Sequence, residues 1–172
     1  VVGIDVDARK IEALAQGRAP IFEPGLPELL VGSMQAGTLR FSTDIADAAG
    51  CEVHFVTVGT PQLAGSHAAD LQFVHAAFTA LQPHLRPGDV VAGKSTVPVG
   101  TAALLAAAMR DSGATLAWNP EFLREGWAVQ DTVSPDRIVV GVPAGAEGER
   151  AAEILRGVYQ TALKDETPYI VT

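Results

Sequence analysis

The sequence of 172 residues has little of several features that define particular classes of protein. It contains one cysteine, Cys51, so an internal disulfide is excluded and a reducing compartment is expected. Lys and Arg number 12 against 20 Asp and Glu, without a basic cluster, which argues against nucleic acid as a partner. No apolar run approaches the roughly 20 residues of a membrane span, and no signal peptide is recognisable. We therefore expect a cytoplasmic protein with neither a nucleic-acid nor a membrane partner.

The residues that are present predict an α/β fold. Apolar residues make up 48% of the chain and charged residues 19%, which is typical of a globular domain with a real core. Short β-prone runs are predicted as strands at residues 1–5, 39–41, 53–58, 90–92, 115–118, 137–142 and 169–171. Helical segments are predicted between them, beginning near Asp7, Pro27, Asp44, Asp70, Thr101 and Ala146. This alternation predicts a Rossmann-like, doubly wound parallel sheet with helices on both faces.

The helical periodicity also predicts which side chains face the core. Residues 53–58 are so apolar that we expect that strand to be buried on both faces. The inward-facing helical side chains are predicted to include Val74, Phe78, Leu81, Leu104, Leu105, Ala108, Met109, Ile154, Leu155 and Val158. Cys51 stands before a buried strand, so we interpret it as a packing residue.

The first strand ends on an acid, Asp5, and leads into a helix that Asp7 caps. This arrangement is typical of the second strand of a dinucleotide-binding unit, where the acid hydrogen-bonds the adenosine ribose. The alternative is that Asp5 simply ends a strand. The G-x-G-x-x-G turn that normally precedes such a strand is not in the sequence. We therefore expect the first strand and glycine-rich loop of such a sheet to be missing from the given chain.

Residues 118–126 carry the densest group of candidate functional side chains. Thr115 to Trp118 predicts a strand that Pro120 ends, and residues just beyond a parallel strand line the ligand crevice of an open α/β sheet. Glu121 and Glu125 would share one face of any helical turn, with Arg124 close by. The alternative is a solvated turn of charged residues.

A phosphate-loop pattern, G-x-x-x-x-G-K-S, occurs at residues 88–95. In a true phosphate loop the strand precedes the first glycine and a helix opens at the lysine. Here the predicted strand lies between the two glycines, and Pro98 prevents an immediate helix. We therefore keep a nucleotide triphosphatase only as the least favoured alternative, which an ATP-hydrolysis assay would test.

Five motifs in order resemble the N-terminal NAD-binding domain of the UDP-glucose/GDP-mannose dehydrogenase family. They are E-P-G-L at 23–26, V-G-T-P at 58–61, K-S-T-V-P-V-G-T at 94–101, N-P-E-F-L-R-E-G at 119–126 and P-D-R-I-V-V-G at 135–141. The resemblance covers essentially the whole chain. The P-D-R-I form resembles the UDP-glucose 6-dehydrogenase branch more than the GDP-mannose branch.

The resemblance implies oxidation of UDP-glucose to UDP-glucuronate by two successive hydride transfers to NAD, through a cysteine-bound intermediate and without a metal. The cofactor-binding residues implied are Asp5, Lys10, Thr60, Thr96 and Glu125. Glu121 would position the water of the second oxidation and assist proton transfer, sharing that water with Thr96. Phe122, Leu123 and Arg124 would lie along the nucleotide sugar, together with Glu121 and Glu125.

The resemblance also implies that residues 1–172 are a fragment, an NAD-binding domain without its first strand, its central helix and its C-terminal UDP-binding domain. The family nucleophile would follow Thr172, so Cys51 would not be that residue. A homo-oligomer formed through the central helix is implied, and the fragment alone is expected to be inactive. The alternatives are a dehydrogenase of GDP-mannose or a UDP-N-acetylhexosamine, and a nucleotide-binding domain without catalysis.

Overall fold

The computed structural model describes residues 1–172, apart from the side chain of Asp165. The chain divides into two compact units. The first unit comprises residues 1–49 and 122–134, and the second comprises residues 50–121 and 135–172. The chain thus passes from one unit to the other between Glu121 and Phe122, inside the candidate segment of the sequence analysis.

The strands and helices alternate along the described backbone. The strands are β1 Val2–Ile4, β2 Arg40–Ser42, β3 Val53–Val56, β4 Val90–Gly93, β5 Thr115–Trp118, β6 Ile138–Val140 and β7 Tyr169–Val171. The α-helices are α1 Ala8–Ala15, α2 Leu26–Gln35, α3 Gln72–Leu81, α4 Thr101–Met109, α5 Ala128–Val133 and α6 Ala146–Val158. Each predicted strand is confirmed, whereas the predicted helix after Asp44 is a short 3-10 turn, Ile45–Ala48.

In the first unit, β1 and β2 pair in parallel, with Gly3 opposite Phe41. The predicted cap of α1 is confirmed, since the Asp7 carboxylate accepts a hydrogen bond from the Arg9 backbone N–H at 2.9 Å. Asp5 follows β1 directly, so its side chain lies at the carboxyl end of a parallel strand.

In the second unit, β3, β4 and β5 form a three-stranded parallel sheet, and β6 pairs with β7 in parallel. Val56, Gly93 and Trp118 lie in register across the three strands. Trp118 and Gly141 exchange two backbone hydrogen bonds of 2.8 Å, the point at which the end of β5 meets the end of β6. The parallel α/β class is therefore confirmed. The strands pair as three sheets, β1–β2, β3–β4–β5 and β6–β7, and the isolated bridge between Trp118 and Gly141 connects the second sheet with the third.

The core of the second unit is formed by strands and by one stripe of each helix. Its fully buried side chains include Val74, Val90, Val91, Val140 and Leu155. On α4 the buried stripe is Thr101, Leu105 and Met109, at intervals of four residues. The predictions that Leu104 and Ala108 face inward are therefore wrong. This helix consists mostly of Ala and Leu, so its sequence gives no contrast between the two faces.

Two further burial predictions are wrong at the edges of the core. Val158 is 48% exposed because α6 ends at this residue, one position before its cap. Phe55 is 37% exposed, so β3 is not buried on both faces. The ring of Phe55 instead makes an edge-to-face contact with Tyr159, with centroids 6.3 Å apart.

Two structural features are absent from the described residues. None of the described helices combines the length and the apolar character that crossing a membrane requires. Among the described side chains, no group of three or more His, Cys, Asp or Glu residues could hold a metal ion.

Gly93 is required by the packing at the end of β4. A Cβ built on Gly93 would clash with the Trp118 ring, which stacks on Phe78 with centroids 6.5 Å apart. We expect Gly93→Ala to displace this indole and to lower the free energy of unfolding by about 1–3 kcal/mol, as overpacking typically does. Chemical denaturation of the full-length protein measures the loss. Gly157→Ala is the control, because nothing lies within 4 Å of a Cβ at that position.

Candidate active site

Polar residues follow β3, β4 and β5 at the edge where these parallel strands end. Thr96 and Glu121 each lie three residues beyond a paired position, since Gly93 and Trp118 are opposite each other. Thr60 lies four residues beyond the end of β3. The carboxyl ends of parallel strands are where open α/β sheets bind ligands. The strand order therefore brings these predicted site residues to the carboxyl edge of the sheet in the second unit.

The loops after β3 and β4 are joined by side-chain hydrogen bonds. The Thr60 hydroxyl donates to the Thr96 carbonyl oxygen at 2.9 Å, and the Ser95 hydroxyl donates to the Val58 carbonyl oxygen at 2.6 Å. The Trp118 indole N–H donates to the Ser95 carbonyl oxygen at 3.2 Å. Thr60 and Thr96, both predicted cofactor residues, are thus held beside each other.

A polar network lies behind this edge, around Lys94. The Lys94 ammonium donates to Asn119 Oδ1 and to the Tyr159 hydroxyl, each at 3.3 Å. The Tyr159 hydroxyl donates to Asn119 Oδ1 at 2.5 Å, and Asn119 Nδ2 donates to the Val139 carbonyl oxygen at 2.8 Å. Asn119 is 2% exposed, so the network fixes an amide in the interior immediately before Pro120 and Glu121.

Burial changes the acidity of the two titratable groups in this network. Burial lowers the pKa of the Lys94 ammonium below its usual value, while the negative charge of Glu121 acts in the opposite direction. Burial raises the pKa of Tyr159 to about 12. Tyr159 is therefore a neutral hydrogen-bond donor at physiological pH, and Glu121 is close enough to Lys94 for their charges to interact.

The sequence analysis did not assign a role to this network. A lysine directly after an entirely buried strand was the available signal for Lys94. Asn119 carried a weaker signal, as the polar residue between β5 and Pro120. Nothing in the sequence connects Tyr159 with either residue, because it comes from the end of α6, 40 residues beyond Asn119.

In the first unit, the structure brings Asp5 and Lys10 together. The Lys10 ammonium donates to Asp5 Oδ2 at 2.5 Å, and the Asp7 backbone N–H donates to Asp5 Oδ1 at 2.9 Å. Partial burial raises the pKa of Asp5, but the hydrogen bonds from Lys10 and Asp7 outweigh that effect and hold it below its usual value. Asp5 is therefore an ionised acceptor at neutral pH.

The segment after Pro120 is not helical. Residues 120–124 are irregular, a turn at Glu125 and Gly126 follows, and α5 begins only at Ala128. The predicted helical pairing of Glu121 with Glu125 is therefore wrong. Gly126 has a φ of 78°, a conformation that a continuous right-handed helix does not contain.

Arg124 is fixed within the first unit by Asp131. Its guanidinium donates to both Asp131 oxygens, at 2.6 Å and 3.1 Å, and its backbone N–H donates to the same carboxylate at 2.9 Å. These hydrogen bonds hold the pKa of Asp131 below its usual range. Phe122 and Leu123, which precede Arg124, are 54% and 41% exposed, so both have surface available to a ligand.

Parallel strands with cofactor-type residues at their carboxyl ends define a dinucleotide-binding α/β domain. Residues 1–163 match the UDP-glucose/GDP-mannose dehydrogenase family, NAD binding domain, and the chain belongs to this family. A UDP-glucose 6-dehydrogenase of Rhizobium meliloti (strain 1021) is 42% identical to this chain. The alignment covers 100% of this chain and 40% of the length of that protein. The UDP-glucose 6-dehydrogenase YwqF of Bacillus subtilis (strain 168) is 38% identical, and the alignment covers 95% of this chain and 39% of the length of that protein.

Solved structures agree with the family assignment. A UDP-glucose dehydrogenase from the archaeon Pyrobaculum islandicum superposes with a TM-score of 0.88 at 40% identity, covering 100% of this chain and 40% of its own. A GDP-mannose dehydrogenase from Pseudomonas aeruginosa superposes with a TM-score of 0.89 at 30% identity, and it also covers 100% of this chain and 40% of its own length. The chain thus spans about 40% of the length of these relatives, and the part it matches is the NAD binding domain of the family.

The residues present fit the adenosine end of NAD. Each Asp5 oxygen accepts one hydrogen bond from the protein, and a carboxylate oxygen can accept two, so capacity is left for a ribose hydroxyl. In the second unit, the Thr60 and Thr96 loops offer hydroxyl and backbone groups at the carboxyl edge. The glycine-rich turn that would hold the pyrophosphate is not among the 172 residues.

Proposed function

We propose that the enzyme containing this chain oxidises UDP-glucose to UDP-glucuronate, using NAD. NAD, when bound, supplies the hydride acceptor for each oxidation. In the first step the C6 alcohol loses a hydride and a proton and becomes an aldehyde. In the second, one water molecule adds to the aldehyde carbon, and loss of one hydride and two protons gives the carboxylate. The observation that carries the proposal is the position of Glu121, which follows β5 at the carboxyl edge and interacts with the charge of Lys94.

Glu121 is the proposed proton acceptor and water-positioning group. Alcohol oxidation requires a base within hydrogen-bond reach, and the second step requires an oriented water. Thr96 follows the neighbouring strand at the equivalent position, so its hydroxyl is the proposed second ligand of that water. The Lys94 ammonium and the Glu121 carboxylate carry opposite charges that attract each other at this edge.

Substrate contacts are proposed for residues 122–125. Phe122 and Leu123 offer exposed apolar surface, and Arg124 offers a cation beside the nucleotide sugar. Glu125 is proposed to lie near the nicotinamide end of the cofactor. The similarity to UDP-glucose 6-dehydrogenases supports UDP-glucose as the substrate. The GDP-mannose dehydrogenase structure is equally similar in fold, so GDP-mannose is the second candidate.

A substrate panel tests this proposal. The full-length enzyme is supplied with NAD and with UDP-glucose, GDP-mannose or UDP-N-acetylglucosamine, and kcat/KM is measured for each by NADH absorbance. We expect UDP-glucose to be preferred by at least about 100-fold, a difference within reach of pocket discrimination. A preference for GDP-mannose would transfer the proposal to that substrate, and absence of turnover with all three would refute it.

Asp5 predicts a preference for NAD over NADP. A carboxylate at this position accepts a hydrogen bond from a free ribose 2′-hydroxyl and repels a 2′-phosphate. We expect Asp5→Ala to raise KM for NAD by about 10-fold or more, the loss of one charge-assisted hydrogen bond, with KM for the nucleotide sugar nearly unchanged. Asp44→Ala, in the same unit, is the control. Equal turnover of the parent enzyme with NADP would contradict the assignment.

A further inference from the structure

Glu23 is a buried carboxylate in a setting that should expose it. It is 4% exposed, whereas the two apolar residues before it, Ile21 and Phe22, are 60% and 88% exposed. A charged group is costly to bury unless it is paired or hydrogen-bonded, so this inverted pattern requires a compensating interaction. The compensation comes from a part of the chain about 100 residues away.

The E-P-G-L motif fixes the direction of Glu23. The Leu26 backbone N–H donates to the Glu23 carbonyl oxygen at 3.2 Å, and Gly25 has a φ of 81°. This is a β-turn with Pro24 at its second position and a left-handed glycine at its third, which is the arrangement of a type II turn. The turn leads directly into α2, so the backbone of Glu23 is held by a defined local structure.

The Glu23 carboxylate binds the backbone of the candidate substrate segment. Oε1 accepts from the Gly126 N–H at 2.8 Å, and Oε2 accepts from the Ala128 N–H at 3.1 Å. Both bonds are made to an ionisable acceptor and are therefore of the stronger, charge-assisted kind. Ala128 is the first residue of α5, so one oxygen also satisfies a helix N–H that has no partner within its own helix.

A second carboxylate fixes the other part of the same segment. Asp131 binds the backbone N–H and the guanidinium of Arg124, and that guanidinium lies 5.6 Å from the centre of the Trp127 ring. The backbone from Arg124 to Ala128 is therefore held at three N–H groups by two acids. Glu23 connects it to the turn before α2.

We propose that Glu23 is a positioning residue that holds residues 122–126 in the conformation that receives the nucleotide sugar. This inference rests on the proposed function, because it assumes that Phe122, Leu123 and Arg124 contact that substrate. Glu23 itself need not touch the substrate. Its role is to preorganise the backbone, which reduces the cost of ordering the segment on binding.

The test is Glu23→Gln in the full-length enzyme. Glutamine has nearly the same size, but one of its two terminal groups is a donor and cannot accept from a backbone N–H. We expect KM for UDP-glucose to rise by about 10-fold or more, with kcat changed less than about 3-fold and KM for NAD less than about 2-fold. Amide exchange at Gly126 and Ala128 is expected to accelerate by about 10-fold or more.

Two further variants complete the experiment. Glu28→Gln removes the same charge from an exposed position on α2 and is expected to change none of these quantities. Glu23→Asp keeps the charge but shortens the side chain by one methylene. Glu23→Asp is expected to raise KM for UDP-glucose less than Glu23→Gln does. If Glu23→Gln does not fold, Glu23→Asp is used in its place in the experiment.

Different results overturn the two proposals. A parent enzyme that oxidises no nucleotide sugar would refute the proposed function, yet amide exchange would still test Glu23. Unchanged exchange at Gly126 and Ala128 in the folded Glu23→Gln variant would show that Glu23 does not hold the segment. Faster exchange with an unchanged KM for UDP-glucose would reduce Glu23 to a structural cap of α5 and would overturn its positioning role.

Discussion

Glu121→Gln in the full-length enzyme is expected to lower kcat by roughly 10²–10⁴-fold, the usual contribution of general acid–base assistance. Glutamine preserves the size of the side chain but cannot accept a proton. Because Glu121 is exposed and has no structural role in the core, the variant should fold normally and bind UDP-glucose with nearly unchanged KM. Steady-state NADH absorbance gives kcat and KM separately.

The matched control for this variant is Glu147→Gln. Glu147 is an exposed acid in the first turn of α6, so the charge change is the same, and kcat should stay within about 2-fold of the parent value. If Glu121→Gln also stayed within about 2-fold, Glu121 would be an ordinary solvated acid. A large rise in KM with unchanged kcat would assign it to substrate binding instead.

Asp89→Ala is expected to lower the free energy of unfolding by about 1–3 kcal/mol, the typical cost of leaving a hydrogen-bonded polar group without its partner. Asp89 is 4% exposed, accepts a hydrogen bond from the Arg86 backbone N–H at 2.8 Å, and lies 3.6 Å from His54 Nε2. Removing the carboxylate takes the acceptor from the Arg86 backbone N–H and removes a carboxylate that lies beside the buried imidazole of His54. Urea unfolding of the full-length protein measures the loss, and Asp111→Ala, at an exposed acid, is the control.

The same carboxylate predicts a pH dependence. Burial raises the pKa of Asp89, but the hydrogen bonds and charge of Arg86 outweigh it, so the folded pKa lies below the usual value. A lowered folded pKa means that the stabilisation is complete above the unfolded pKa, near 3.9, and is lost as the pH falls through the folded value. The difference in free energy of unfolding between the parent and Asp89→Ala should therefore shrink as the pH falls. A difference that is independent of pH down to about 2 would contradict this assignment.

The fold was largely predictable because strands and caps depend on local sequence. The apolar runs before Gly59 and Lys94, and the Asp7 cap, are signals that the neighbouring residues alone determine. The exposed side of α4 was not predictable, because Leu104 and Leu105 are chemically identical and only tertiary packing distinguishes them. The division between Glu121 and Phe122 also had no local signal, since it depends on contacts between distant segments.

The site was predictable where one motif contains its parts and unpredictable where it does not. Asp5 and Lys10 are five residues apart, on either side of the Asp7 cap, and their side chains form a hydrogen bond. Glu23 with Gly126, and Lys94 with Tyr159, join residues separated by 103 and 65 positions, and no periodicity relates them. The roles of the predicted site residues, the homo-oligomer and the cytoplasmic location stay predictions.

The stoichiometry of the reaction tests the proposed function most directly. The full-length enzyme is given a limiting amount of UDP-glucose with excess NAD, and NADH is followed to completion while the product is identified by mass spectrometry. We predict two NADH per UDP-glucose consumed and UDP-glucuronate as the product, because an alcohol becomes a carboxylate in two oxidations. One NADH per sugar with an accumulating aldehyde, or no NADH at all, would contradict the proposed activity.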